Sequence, residues 1–353
     1  MPYRTPFAGL TLTLALACWV SACSCQAPPQ PTPAAAEPPA PGSLQWYNAR
    51  TPQVIAALDK AQAWLDARPL DPFALRQKGL NGRKQLVAQL DAWRWLYLLA
   101  EGPRKDWLRA RIERAAAPTT EARFHDLLTT EDIILKQVAT SYLRCAFIMD
   151  KVGLDTAAYQ VEIGKAKARI DAHLPYRGHH QKMAIKSYYD HFGLAFPDGL
   201  LTGRPKGSII TQRRPANSLS LIDAYHLAHE VMAAYDFGDR PQATPFGDAD
   251  LIYLETVLHL LMLQHIERRD PDILGELVFS AVLIGRARLP SVPGAIDVML
   301  AAQNPNGSFG SYPEVEAKLG KSADFEVYTH TLMVVTHAIA ASWQAAKAPL
   351  LLR

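Results

Sequence analysis

Asp223-Ala-Tyr-His-Leu-Ala-His229 and Asp324-Phe-Glu-Val-Tyr-Thr-His330 are two copies of one pattern in the second half of the chain. In each copy an Asp stands six residues before a His, a Tyr lies between them, and a Met follows three residues after the His. Seven residues beyond the two His come Asp236 and His337. Because seven residues are close to two helical turns, each copy predicts one helix that carries a polar stripe on an apolar background.

The sequence around the two copies is helical in pattern from residue 43 to the end, and convincing strand alternation is absent. Helices that start near 219, 271 and 323 are separated by single helices near 247 and 292, so the series repeats about every 52 residues. A period near 50 built from helix pairs predicts a repeat architecture in which every second helix shares a layer. We therefore expect an all-α fold with both Asp/His helices in its inner layer.

A resemblance to a known superfamily supports this layering. The stretch Gln303-Asn-Pro-Asn-Gly307-Ser-Phe309-Gly310 resembles the repeat signature of terpenoid cyclases and protein prenyltransferases, in which Gln, Gly and an aromatic residue cap a helix. The stretch Gly320-Lys-Ser-Ala-Asp-Phe325 with Tyr328-Thr-His330-Thr is similar to the entry of the prenyltransferase helix that bears a zinc-ligand His. The resemblance implies an α/α toroid with a central cavity over residues 43–353. It also implies zinc as a possible cofactor at His330, although the upstream Asp and Cys ligands and the aspartate-rich cyclase motifs have no clear match.

The N-terminus indicates where the protein is located. Residues 1–22 hold a short apolar stretch that ends in Val20-Ser-Ala-Cys23, which resembles the lipobox of bacterial lipoprotein signal peptides. The resemblance implies cleavage before Cys23, its diacylation (palmitate-type anchoring), and a membrane as partner. In the lipoproteins that it resembles, a residue other than Asp in the next position, here Ser24, implies sorting to the outer membrane, with the protein facing the periplasm. A plain secretory signal is the alternative.

Residues 23–42 predict a tether between this anchor and the fold. Seven prolines occur among the 17 residues from Gln26 to Gly42, a composition that cannot form a core and favours an extended polyproline-type chain. Its expected reach is roughly 50 Å at about 3.1 Å per residue. A net charge of +3 without a basic run argues against nucleic acid as a partner.

The candidate site residues are His229, Asp236, Tyr328, His330 and His337. His and carboxylate side chains suit either acid–base catalysis or a zinc site. A His pair spaced by seven residues is about 10 Å apart along the helix, too far for one ion. The metal trio we expect is therefore His226, His229 and His330, with Glu230 as a base. A metal centre, a metal-free acid–base site and a structural polar network all remain open.

Two further features bear on function. Asp223 and Asp324 are expected to cap helices, and a Tyr near a His, such as Tyr225 or Tyr328, can act with it in acid–base chemistry, as in some polysaccharide lyases. The long loop 194–218 carries Arg204, Lys206, Arg213 and Arg214 and could meet an anionic glycan or peptide. The sequence therefore predicts an envelope lipoprotein whose central His/Asp site binds or processes a ligand. A non-catalytic assembly module and a purely structural lipoprotein are the alternatives.

Overall fold

The protein was analysed as a computed structural model that describes residues 38–68, 80–121, 124–201, 208–240, 242–319, 323–348 and 350. These residues form α-helices, short 3₁₀ turns and loops, without a β-strand in the described part. The prediction of an all-α fold is confirmed. The signal, Cys23, most of the tether, Arg204, Lys206 and the side chain of Asp324 lie outside the described residues.

The helices follow one another in the chain with mostly short connections. In order they are α1 Leu44–Asp66, α2 Leu80–Leu98, α3 Gly102–Ala116, α4 Asp132–Lys151, α5 Ala157–His173, α6 His179–His191, α7 Leu221–Ala234, α8 Asp248–Arg268, α9 Pro271–Leu283, α10 Ser291–Ala301, α11 Pro313–Leu319 and α12 Ala323–Ala346. A single helical turn, Ile209–Gln212, precedes α7. No helix among the described residues is both long and apolar enough to cross a membrane.

Six of these helices contact one another in a closed series. Helix α2 packs against α4, α4 against α6, α6 against α7, α7 against α9, α9 against α12, and α12 against α2. Helices α3, α5, α8 and α10 each pack on one or two members of this series, and α1 packs on α12 and α2. The two helices that bear the His229 and His330 patterns, α7 and α12, are both members of this series.

Four neighbouring pairs of the series run parallel, because contacts move along both partners in the same direction. Between α9 and α12, Asp272 bonds His330, and two turns further on Phe279 packs against His337. The other three pairs show the same order: α7 and α9 through Tyr225–Asp272 and His229–Glu276, α2 and α4 through Asp91–Arg144 and Arg94–Phe147, and α4 and α6 through Phe147–Tyr188 and Asp150–His191. The starts of α7, α9 and α12 consequently lie at one end, as do the starts of α2, α4 and α6.

Local sequence explains why the helices that carry the site begin where they do. Ser220 and Asp223 form a capping box at the start of α7, so the expected capping role of Asp223 is confirmed. Asp270 caps α9 and is followed by Pro271 in the first helical position, where a missing N–H costs nothing. These caps fix the register of α7 and α9 relative to each other.

The stretch that resembles the cyclase repeat signature joins the end of α10 to α1. The amide of Gln303 donates to the carbonyl of Ala57 in α1 at 2.7 Å, and Phe309 is fully buried. Gly307 has φ +99° and approaches the carbonyl oxygen of Lys60 so closely that a Cβ would lie 2.2 Å from it. Only glycine fits this contact, so the stretch fixes the end of α10 against α1.

Close packing of α9 on α12 gives a test of the architecture. A Cβ added at Gly275 would lie 2.8 Å from the carbonyl carbon of Val334, whereas one added at the exposed helical Gly164 meets nothing within 4 Å. We expect Gly275→Ala to lower the free energy of unfolding by about 1–3 kcal/mol through overpacking. Gly164→Ala should raise it by roughly 0.5–1 kcal/mol. Urea denaturation of both variants checks this, and equal effects would contradict the packing.

Candidate functional site

The centre of the candidate site is a carboxylate–imidazole pair between α9 and α12. Asp272 Oδ1 lies 2.9 Å from Nδ1 of His330. The same carboxylate accepts hydrogen bonds from the hydroxyl of Thr331 at 2.7 Å and from the hydroxyl of Tyr225 at 2.5 Å. Asp272 is largely buried, while 41% of the His330 side chain is exposed. The carboxylate thus holds Nδ1 of an imidazole whose side chain remains partly exposed.

A second carboxylate lies between His330 and the other predicted His. Glu276 Oε1 is 3.3 Å from Nε2 of His229 and 3.7 Å from Nε2 of His330. Its side chain is only 1% exposed, and Oε2 has no hydrogen-bond partner among the described residues. The His229 side chain is 35% exposed. Glu276 is therefore the buried link between two accessible imidazoles on α7 and α12.

Two more His extend the cluster towards α6. The ring of His180 stacks on His226 with centroids 5.3 Å apart, and its centroid lies 5.6 Å from that of His229. His226 is thus placed beside His229, as the spacing predicts. His180 enters as a residue for which the sequence offered no partner.

The surroundings drive the protonation of these His in opposite directions. Burial lowers the pKa of His330, but the Asp272 charge and hydrogen bond outweigh it and raise the pKa to about 9. Burial also lowers the pKa of His229, but the charge and the hydrogen bond of Glu276 outweigh this effect, so the pKa is raised. Burial and the neighbouring His lower the pKa of His180 to about 4. At neutral pH the cluster therefore offers a protonated imidazole at His330 and a neutral one at His180.

The other predicted site residues lie elsewhere. Helix α7 ends at Ala234, and Asp236 follows in a 3₁₀ turn with φ +50°, ion-paired with Arg240. The expectation that Asp236 continues the helical stripe is wrong, because the backbone has left the helix before reaching it. His337 is buried between Trp95 and Phe279, with ring centroids 4.5 Å and 5.5 Å away.

Tyr328 and Glu230 also differ from the roles considered for them. Tyr328 is buried and packs against Tyr312 at 5.4 Å between centroids. Glu230, considered as a base, is buried and accepts hydrogen bonds from the hydroxyl of Ser208 at 2.8 Å and the backbone N–H of Ile209 at 3.2 Å. It therefore holds the helical turn that precedes α7, and its carboxylate is used there.

The geometry offers little support for a metal centre. Among the residues that the structure describes, no group of three His, Cys, Asp or Glu side chains is arranged so that it could hold a metal ion. His226, His229 and His330 are among these residues, so the expected zinc trio does not meet in the arrangement that a structural or catalytic zinc requires. The carboxylates that the structure provides instead, Asp272 and Glu276, hold the imidazoles by hydrogen bonds and ion pairs.

The basic loop is partly neutralised by acids of the fold. Arg213 pairs with Asp250 at 2.9 Å, and Arg214 pairs with Asp223 at 2.9 Å. Arg214 also donates to the carbonyl of Ser218. Both guanidinium groups thus fix the loop to α7 and α8.

Sequence reasoning missed Asp272 and Glu276, although a signal was present. Asp270 stands six residues before Glu276, as Asp223 does before His229 and Asp324 before His330. Helix α9, which packs between the two Asp/His helices α7 and α12, thus repeats their spacing with Glu in place of His. A lone Glu in the otherwise apolar run of α9 is a buried charge that needs partners.

The pKa of His330 has a measurable consequence for stability. A His in an unfolded chain has a pKa near 6.5, and folding raises that of His330 to about 9. The resulting stabilisation is fully present below about pH 6.5 and is lost as the pH rises through about 9. We expect the difference in free energy of unfolding between wild type and His330→Gln to be largest near pH 6 and to shrink by about pH 10, as measured by urea denaturation.

The control for this pH profile is Asp272→Asn. Without the carboxylate, the folded-state pKa of His330 should fall, so His330→Gln in this background should lose most of that pH dependence. A pH profile that is unchanged by Asp272→Asn would contradict the assignment of Asp272 as the partner.

Comparison with known proteins places the chain in a family. The model of DUF6895, a domain of unknown function, matches residues 58–340, which include α2 to α10 and the whole His/carboxylate cluster. No curated protein and no solved structure matches the chain. Because the match covers well over half of its residues, this protein is a member of the DUF6895 family.

Proposed function

We propose that this protein is a lipid-anchored envelope enzyme that performs acid–base chemistry at His330. The observation that carries the proposal is the Asp272–His330 pair, in which a buried carboxylate fixes Nδ1 at 2.9 Å while 41% of the side chain stays accessible. This is the arrangement of an oriented general acid or base, with Nε2 left to exchange a proton with a ligand. His229 and Glu276 lie beside Nε2 and complete the site.

The closed contact series supports an α/α toroid as the framework. Such a toroid requires a ring of inner helices in which each contacts the next, with outer helices packed on them. The closed series of six helices and the helices that pack on it fit this arrangement. On α12, the side chain of His330 is 41% exposed, whereas His337, two turns further on, is buried. The toroid would therefore open at the end where the inner helices start and be closed further down by Trp95, Phe279 and His337.

The enzymatic proposal is tested by turnover. Full-length protein in detergent is screened against envelope glycans and peptides, and the product is measured by mass spectrometry. We expect His330→Ala to reduce turnover by about a hundredfold to ten-thousandfold, the usual contribution of one acid–base residue. The matched control is His191→Ala, because His191 forms a similar pair with Asp150 at 2.8 Å outside the cluster. Equal losses in both variants, or turnover that survives His330→Ala, would contradict the proposal.

The anchor is tested separately. We expect wild-type protein to carry an acyl mass and to sediment with membranes, since several acyl chains on one Cys hold a protein firmly to a bilayer. Cys23→Ala should lack that mass and appear in the soluble fraction, while Cys145→Ala, which alters a buried thiol, should remain with membranes. Membrane association without acylation in Cys23→Ala would rule out this anchor.

A further inference from the structure

Glu276 has an oxygen without a hydrogen-bond partner among the residues that the structure describes. Asp272 accepts from three side chains: His330, Thr331 and Tyr225. The ion pairs that the described residues form with Glu276 go to two imidazoles, at 3.3 Å and 3.7 Å, and both are on Oε1. Its Oε2 has no partner among these residues and belongs to a side chain that is 1% exposed. A buried carboxylate oxygen without a donor is costly, so a donor that reached it would remove that cost.

The charges around Oε2 restrict what that donor can be. Two imidazoles, His229 and His330, and two carboxylates, Asp272 and Glu276, lie together in the cluster. A cationic ligand would meet the imidazole N–H groups, and an anionic ligand would meet the carboxylates. An ion of either sign would have to leave water for a site that holds groups of the same sign. An uncharged ligand avoids this cost, and the described residues hold no group arranged for a metal cation.

A hydroxyl group fits both free positions. Its hydrogen can be donated to Glu276 Oε2, and its oxygen can accept a hydrogen bond from Nε2 of His330, which is too far from Glu276 to be satisfied by it at 3.7 Å. A charged ammonium group can only donate, and a carboxylate can only accept.

We propose that the site takes an uncharged, hydroxyl-rich ligand of the carbohydrate class, with one ligand hydroxyl bonded between Glu276 Oε2 and His330 Nε2. This inference rests on the proposed function, because it places the ligand against the edge of His330 that exchanges the proton. Glu276 is thereby the residue that selects a hydroxyl, and Asp272 keeps the role of orienting His330.

The experiment is a ligand titration followed on the His rings. Full-length protein with ¹⁵N-labelled His, in detergent, is titrated with methyl glucoside as an uncharged polyol. Inorganic phosphate and ethylammonium serve as the anionic and cationic probes. We expect methyl glucoside to shift the ring signals of His229 and His330 and to saturate in roughly the millimolar range. Glu276→Gln should weaken this binding at least tenfold.

Two variants make the result decisive. Glu276→Asp keeps the charge but withdraws the oxygen, so it should also weaken binding and serves if Glu276→Gln fails to fold. Glu255→Gln alters a half-exposed Glu of α8 that pairs with Arg286, and it should leave binding unchanged. A response to phosphate or ethylammonium in place of the glucoside, or equal glucoside binding in the Glu276 variants, overturns the inference.

The inference and the proposed function can fail separately. Turnover that depends on His330 without glucoside binding would leave the acid–base function intact and remove the carbohydrate class. Glucoside binding that depends on Glu276, with turnover indifferent to His330, would keep the ligand class and remove the catalytic role.

Discussion

Burial of two carboxylates in α9 is the constraint on which the centre of this protein depends. Asp272 and Glu276 lie one turn apart on a helix whose other residues are mostly apolar and buried. A carboxylate in such a place is strongly unfavourable unless it is paired and hydrogen-bonded. The partners come from both sides: Tyr225 and His229 from α7, and His330 and Thr331 from α12. The two buried carboxylates of α9 thus require partners from α7 and α12, and these contacts hold both helices against α9.

The cluster differs from a fully satisfied polar network. A network that only braced helices would satisfy each of its members. Here Asp272 accepts three hydrogen bonds, yet Oε2 of Glu276 has no partner among the described residues, and the two imidazoles remain more than a third exposed. The unsatisfied oxygen lies buried within the cluster, and its partly exposed members are the imidazoles.

The sequence was informative where a local rule applied and failed where a long-range contact decided. Helix periodicity predicted α9 and α12, and the Ser220–Asp223 box followed from capping chemistry. The expectation for Asp236 failed because a stripe counted at seven-residue spacing assumes that the helix continues, whereas the chain turns to positive φ after Ala234. Glu276 was missed because its partners lie 47 and 54 residues away in sequence, beyond any helical period.

The buried Asp91–Arg144 pair shows how the same chemistry can serve packing alone. Arg144 makes two hydrogen bonds to Asp91, at 2.9 Å and 2.7 Å, between α2 and α4, and both side chains are buried. His337 lies next to this network, and burial followed by the nearby Arg144 charge drives its pKa well below the ordinary value. It is therefore a neutral, enclosed ring, in contrast to the protonated, accessible ring of His330 two turns earlier. Two His at related positions on one helix thus differ, because His337 is enclosed and lies near guanidinium groups whereas His330 faces carboxylates.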